Sequence, residues 1–222
     1  MKNKTISLIA FAGLFVAQLG HAQGTMADAQ GTTYLSNLGQ VSSGSLVLGS
    51  DAWIAQSFYT GTSPDGYYLN SVQLLTVPAV GSPSGFAVSL YTHSSADGRF
   101  PGNTLGSLTG PDPTAGGVFS YESAGILLSP RTGYFLVLTA ATPTANGAFS
   151  WSLGSFFGAD SSDGWGMENF HYSSTDCTKW DRVIGPNFQF GVTASTVPEP
   201  SSWLLMALGL VGFGLWRHPF KR

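Results

Sequence analysis

A helix that meets water needs charged side chains on its wet face, and this chain has almost none to supply: 12 acids and 9 bases serve all 222 residues. Its 29 glycines and 12 prolines recur at short intervals, which interrupts any long helix. Disorder is excluded as well. Hydrophobic residues at 43% and aromatic residues at 13% leave enough apolar surface to offset chain entropy. What remains is an all-β fold whose surface is covered by Ser, Thr, Asn and Gly.

Runs rich in Val, Leu, Phe, Tyr and Thr lie between clusters of Gly, Pro, Asp and Ser, and they predict strands at 46–48, 53–59, 69–77, 86–92, 104–108, 118–121, 126–128, 134–140, 148–153 and 187–192. Apolar and polar residues alternate from Phe86 to Leu90, the mark of a half-buried strand. Tyr134 to Leu138 is apolar throughout and reads as a central strand. The clusters at 61–66 and 111–117 supply turns. Together these runs predict an antiparallel β-sandwich of jelly-roll type over residues 34–196, preceded by a small, polar, free arm at 23–33.

The two ends read as addresses. Lys2 and Lys4, an apolar stretch from Ile6 to Val16 and the small-x-small site Gly20-His21-Ala22 form a secretory signal peptide over 1–22. A second apolar segment, 201–216, ends on Arg217, Lys221 and Arg222. As a helix it reaches about 24 Å, a marginal transmembrane span with Trp203 and Trp216 at its interfaces. Its basic end works as a stop-transfer signal that keeps the tail cytoplasmic.

Immediately before that segment stand Pro198, Glu199 and Pro200. Pro-Glu-Pro, a hydrophobic helix and a short Arg-rich end, in that order over 197–222, resemble the PEP-CTERM sorting signal of exported bacterial proteins. The resemblance implies recognition by exosortase, a membrane cysteine-type transpeptidase, cleavage near the motif, and transfer to the cell surface or release. It also implies association with exopolysaccharide or biofilm. A second resemblance covers roughly residues 50–155. The succession Ala55-Gln56-Ser57-Phe58, 69–75, Val88-Ser89-Leu90-Tyr91, Pro101-Gly102 with 105–108, and 134–138 is similar to the choice-of-anchor domains, β-sandwiches without an assigned activity.

Chemistry is thinly represented. Between 23 and 197 only Arg99, Arg131, Lys179 and Arg182 face eleven acids, which argues against nucleic acid as a partner. No Gly-x-Ser-x-Gly elbow sits between a strand and a helix. His93 and His171 occupy turn-like surroundings and read as surface loop residues, outside any zinc spacing. Cys177 is the one cysteine, which leaves it as a free thiol, an intermolecular bridge or a nucleophile with His171.

The richest segment is 156–181, where Asp160, Asp163, Trp165, Tyr172 and Trp180 stand with Glu168, Asp176 and Asp181. Aromatic faces stack on sugars and carboxylates suit Ca²⁺ or paired acid chemistry, so a sugar-binding loop is one reading. Asp160 to Gly164 lacks the EF-hand pattern, and no metal or cofactor is expected. The other reading is a long connection whose aromatics cap the sandwich while its acids face water. The whole predicts a non-enzymatic, exported surface or extracellular-matrix protein. Its alternatives are a carbohydrate-binding module and, from another class, a secreted hydrolase.

Overall fold

The computed structural model describes residues 31–94 and 99–198. Within them the chain forms β1 (Thr32–Ser36), β2 (Gly44–Leu48), β3 (Trp53–Tyr59), β4 (Tyr67–Gly81), β5 (Ala87–His93), β6 (Pro101–Leu108), β7 (Gly117–Glu122), β8 (Leu127–Leu128), β9 (Gly133–Thr139), β10 (Gly147–Leu153), β11 (Asp160–Ser161), β12 (Gly166–Ser174), β13 (Asp181–Ile184) and β14 (Phe190–Thr196). The helical content of the described residues is one 3-10 turn, Thr144–Asn146. All-β architecture is what the scarcity of charge demanded.

Two antiparallel sheets carry the strands. The first runs β11-β1-β14-β4-β10-β2, with β7 and β8 also on β4; the second runs β13-β12-β3-β9-β5-β6. The 15-residue β4 makes the first sheet curl strongly. It pairs with β14 over Tyr67 to Leu74 and then with β10 over Thr76 to Gly81, and both ladders shift register through a bulge. The turn between β3 and β4 closes where Gly66 donates its amide to Ser63 at 3.1 Å. Gly66 has φ +83° and passes too close to the Leu128 carbonyl for any Cβ.

Alternation decides what fills the space between the sheets. Val88 and Leu90 of β5 point into the main core, while Ser89 meets Ser107 of β6 at 3.1 Å. The largest fully buried side chains include Trp151, Tyr67, Tyr121, Phe58, Phe149, Phe188 and Phe190. Trp151 stacks on Phe188 with centroids 4.3 Å apart and donates its indole N–H to the Gln189 carbonyl at 2.9 Å. β9 is a central strand of the second sheet and is buried on both faces: Leu136 and Leu138 join the main core, while Phe135 and Val137 join a second cluster with Ala55 and Tyr172. Trp53, Tyr91, Phe100, Phe170 and Trp180 cover that second cluster.

Four strands were not anticipated. β1 begins at Thr32, inside the segment expected to be a free arm, and pairs with β14 from Thr32↔Ala194 to Ser36↔Gly191. β11, β12 and β13 occupy ground expected to be a long connection. β12 pairs with both β3 and β13 and lies within the second sheet.

Candidate functional site

The sheet delivers the C-terminal motif directly. β14 ends at Thr196, the Val197 amide donates to the Gly66 carbonyl at 3.1 Å, and Pro198 follows at once, exposed. The body therefore stays hydrogen-bonded up to the residue before the first proline. Glu199, Pro200, the segment 201–216, Arg217, Lys221 and Arg222 lie outside the described residues, as does the expected signal peptide 1–22. No helix among the described residues is long and apolar enough to cross a membrane.

The five residues expected to form a sugar-binding loop do not share a surface. Asp160 is exposed at the edge of the first sheet, opposite Ser36. Asp163, at φ +53°, accepts hydrogen bonds from the Tyr67 hydroxyl and from Thr62 Oγ1 at 2.8 Å, and these donors hold its carboxyl below the usual range. Trp165 is 3% exposed in the main core, between Tyr34 and Phe58. Tyr172 is 1% exposed on the far side of the second sheet, where Trp180 is half-buried over the same cluster. Neither the Trp165 nor the Tyr172 ring has a face left for a sugar. Within this segment Trp165 and Tyr172 are buried, Phe156 and Phe157 are exposed, and Asp160 and Asp163 lie at the surface.

The polar centre of this segment is Glu168 on β12. Its carboxylate accepts from Tyr59 at 2.5 Å, Ser57 at 3.0 Å and Tyr172 at 3.2 Å. Burial, and then the Glu168 charge, push the Tyr59 and Tyr172 phenols well above their ordinary values. Three hydroxyl donors occupy the acid, so its geometry is that of a structural clasp. Among the described residues no group of three His, Cys, Asp or Glu side chains could hold a metal ion.

Both histidines are displaced from the expected surface loops. His93 ends β5 with its ring 4.7 Å from that of Phe135. His171 lies in the middle of β12, 5% exposed, its ring 5.3 Å from Phe188 in the main core. Cys177 is in the β12–β13 connection at φ +61°, with Sγ 3.8 Å from the Tyr91 hydroxyl. Tyr91 covers the second cluster, on the other side of the sheet from Phe188, so the strands separate Cys177 from His171. Burial raises the thiol's pKa, which leaves it a poor nucleophile.

A cleft unanticipated from sequence opens where β3 begins. β2 is the last strand of one sheet and β13 of the other, and residues of both line the cleft. The resulting cavity, about 660 Å³, is walled by Val47, Trp53 and Ile54, with His171 in its lining and Lys179 and Asp181 among the polar residues around it. Nδ1 of His171 is sealed from solvent without a hydrogen-bond partner. Asp51, also in the lining, is committed elsewhere, accepting from the Thr144 amide at 2.8 Å and its hydroxyl at 3.1 Å. The signal for this site is faint in sequence. Trp53 read as the start of a strand, and nothing local announces that two sheet edges meet beside it.

Comparison with known families bears on the opposite end of the body. Residues 196–218 match the family model described as the PEP-CTERM protein-sorting motif. The chain thus carries the signal of an exported protein sorted by exosortase. Among curated proteins and among solved structures, nothing matches.

Proposed function

We propose that this chain is a non-enzymatic protein of the bacterial cell surface or extracellular matrix, associated with exopolysaccharide or biofilm. Its C-terminal helix holds it at the inner membrane until exosortase cuts near Pro198-Glu199-Pro200, and the β-body, read as a jelly-roll-type sandwich, is the part delivered. The observation that carries this reading is the PEP-CTERM match beginning at Thr196, the last residue of β14. Two prolines flanking Glu199 keep the motif out of any helix and extended for a protease cleft. The body supports a binding or matrix role over hydrolysis, since its most polar carboxylate cluster is fully engaged by protein hydroxyls.

Glu199→Ala in an exosortase-bearing host tests this. The variant is expected to insert in the membrane and persist there at full length, while the wild-type chain is shortened and leaves the inner membrane. Equal processing of both, read by fractionation and mass spectrometry of the C-terminus, would refute the sorting role.

A further inference from the structure

The end of β14 and the start of the sorting motif share residues. The motif match begins at Thr196, which is also the last residue of β14 and stands opposite Tyr67 of β4. The next residue is still tied to the body, since the Val197 amide donates to the Gly66 carbonyl at 3.1 Å. Gly66 is itself buried and backs onto the Leu128 carbonyl, so the acceptor stays with the body if the strand end departs.

Reach then sets a conflict. On the sorting reading above, segment 201–216 is the membrane anchor, which leaves residues 198–200 to connect it to the last residue tied to the body. Three residues span at most about 11 Å. A helix is about 10–12 Å across, so an enzyme gripping Pro198-Glu199-Pro200 outside the bilayer has room for a single layer of structure before it meets the body. Releasing Thr196 and Val197 lengthens the connection to residues 196–200 and its reach to about 18 Å.

The strand is built to give way at those two residues and no further. Among the described residues β1 pairs with β14 only as far as Ala194, so Thr196 and Val197 are held from one side, by β4 and the Gly66 carbonyl before it. Thr196 is exposed and Val197 half-buried. One residue earlier the hold tightens. The Ser195 hydroxyl accepts from Asn70 Nδ2 at 3.0 Å and donates to Asn70 Oδ1 at 3.1 Å, and Ala194 is buried in the main core. A terminal segment with few buried contacts opens locally without unfolding the rest.

We propose that Thr196 and Val197 form a latch: they hold the motif against the body, and exosortase takes it at full rate only once they have left β4. The latch rests on the sorting reading and adds a restraint that the body places on the same motif. It governs how fast the motif is used, whereas Glu199 governs whether it is recognised.

Pulse–chase of the full chain in an exosortase-bearing host tests the latch, with loss of the full-length form as the readout. Inserting Gly-Ser-Gly-Ser between Val197 and Pro198 keeps the bond to Gly66 and supplies the missing length. It is expected to raise the processing rate about fivefold, the factor that corresponds to one backbone hydrogen bond of ordinary net strength. Val197→Pro removes the donor to Gly66 and is expected to do the same, with the urea midpoint of the body unchanged. Combining the two is expected to give no more than either alone, because both relieve one restraint. Should Val197→Pro destabilise the body, the spacer decides alone. A spacer variant processed no faster than wild type, or effects that multiply in the combination, would overturn the latch and leave the sorting role standing. No processing of any form, wild type included, would overturn the sorting reading and the latch with it.

Discussion

The indole of Trp165 lies parallel to the ring of Phe58, with centroids 6.0 Å apart and planes 2° off parallel. Tyr34 of β1 stacks on Trp165 at 5.2 Å, and Tyr67 meets it edge-on at 5.0 Å. The residue thus joins β1, β3 and β4 through one aromatic stack. Trp165→Ala is expected to cost about 3–5 kcal/mol, the range for deleting a large buried aromatic. Trp180→Ala, at a half-buried position over the second cluster, is expected to cost about 1 kcal/mol or less. Urea unfolding of the two variants checks the ranking, and equal costs would contradict it.

That stack also shows what was legible from sequence. Runs such as 53–59, 134–140 and 148–153 declare themselves because their apolar residues are dense and β-branched or aromatic, and the structure has strands there. β12 was hidden because Gly166-Met167-Glu168-Asn169-Phe170-His171-Tyr172 mixes charge and amide with aromatics. Its backbone is tied by a long-range partner that no local pattern shows: Gln56 Nε2 donates to the carbonyls of Glu168 at 3.1 Å and Phe170 at 2.9 Å. β13 has four exposed residues and no apolar periodicity at all. The local pattern could not reveal which face of the second sheet each aromatic would occupy. Trp165 and Trp180 look alike in sequence and end on opposite sides.

Asn37 is a second such residue, 3% exposed, inside an unpromising polar turn. Its Nδ2 donates to the Phe188 carbonyl at 2.8 Å and its Oδ1 accepts the Phe190 amide at 2.8 Å. It pairs backbone groups on both sides of Gln189 at the start of β14. Asn37→Leu keeps the volume but orphans both groups, at roughly 1–3 kcal/mol each. Loss of hydrogen-exchange protection at Phe190 is the local signature expected alongside the lower urea midpoint.

Glu168→Gln separates charge from burial at the three-hydroxyl clasp. The carboxylate's charge raises the Tyr59 and Tyr172 pKa values on top of the burial effect. Its removal is expected to lower both, though not to the ordinary value, because burial remains. Ultraviolet titration of phenolate formation reads the change, and unaltered titration would show that the acid does not govern these phenols.

His171 sets a pH dependence. Burial lowers its pKa from the ordinary value of 6.5, and the Pro186 carbonyl opposes this only in part. Below pH 6.5 the unfolded chain takes up a proton that the folded chain refuses until its own lower pKa is reached. Stability is therefore expected to fall as pH drops through that window, by at most about 1.4 kcal/mol per pH unit, and to be unaffected by this group above it. Asp163 is separable. Its lowered pKa contributes stability above the unfolded value of 3.8 that is lost as pH falls through its folded value. His171→Phe is expected to flatten the upper window and leave the acid one, as judged by Tm measured from pH 8 to pH 3.

The sorting signal divides into parts with separable failures. In the sorting role proposed above, Glu199 serves recognition, whereas Arg217, Lys221 and Arg222 serve retention of an apolar segment of sixteen residues, 201–216. As a helix that segment would reach about 24 Å against a hydrocarbon core of about 30 Å, so on the proposed reading the basic end carries an unusual share of the anchoring. Replacing all three with Ser is expected to let uncleaved precursor escape to the periplasm, the opposite of the membrane-trapped product expected from Glu199→Ala. The body should be folded in both, because its last interstrand bonds end at Val197. An epitope after Thr33 would perturb β1, so the tag belongs before Gly31. Fractionation then distinguishes soluble precursor from membrane-bound precursor, and wild-type retention of the triple variant would show that the apolar segment anchors without its basic end.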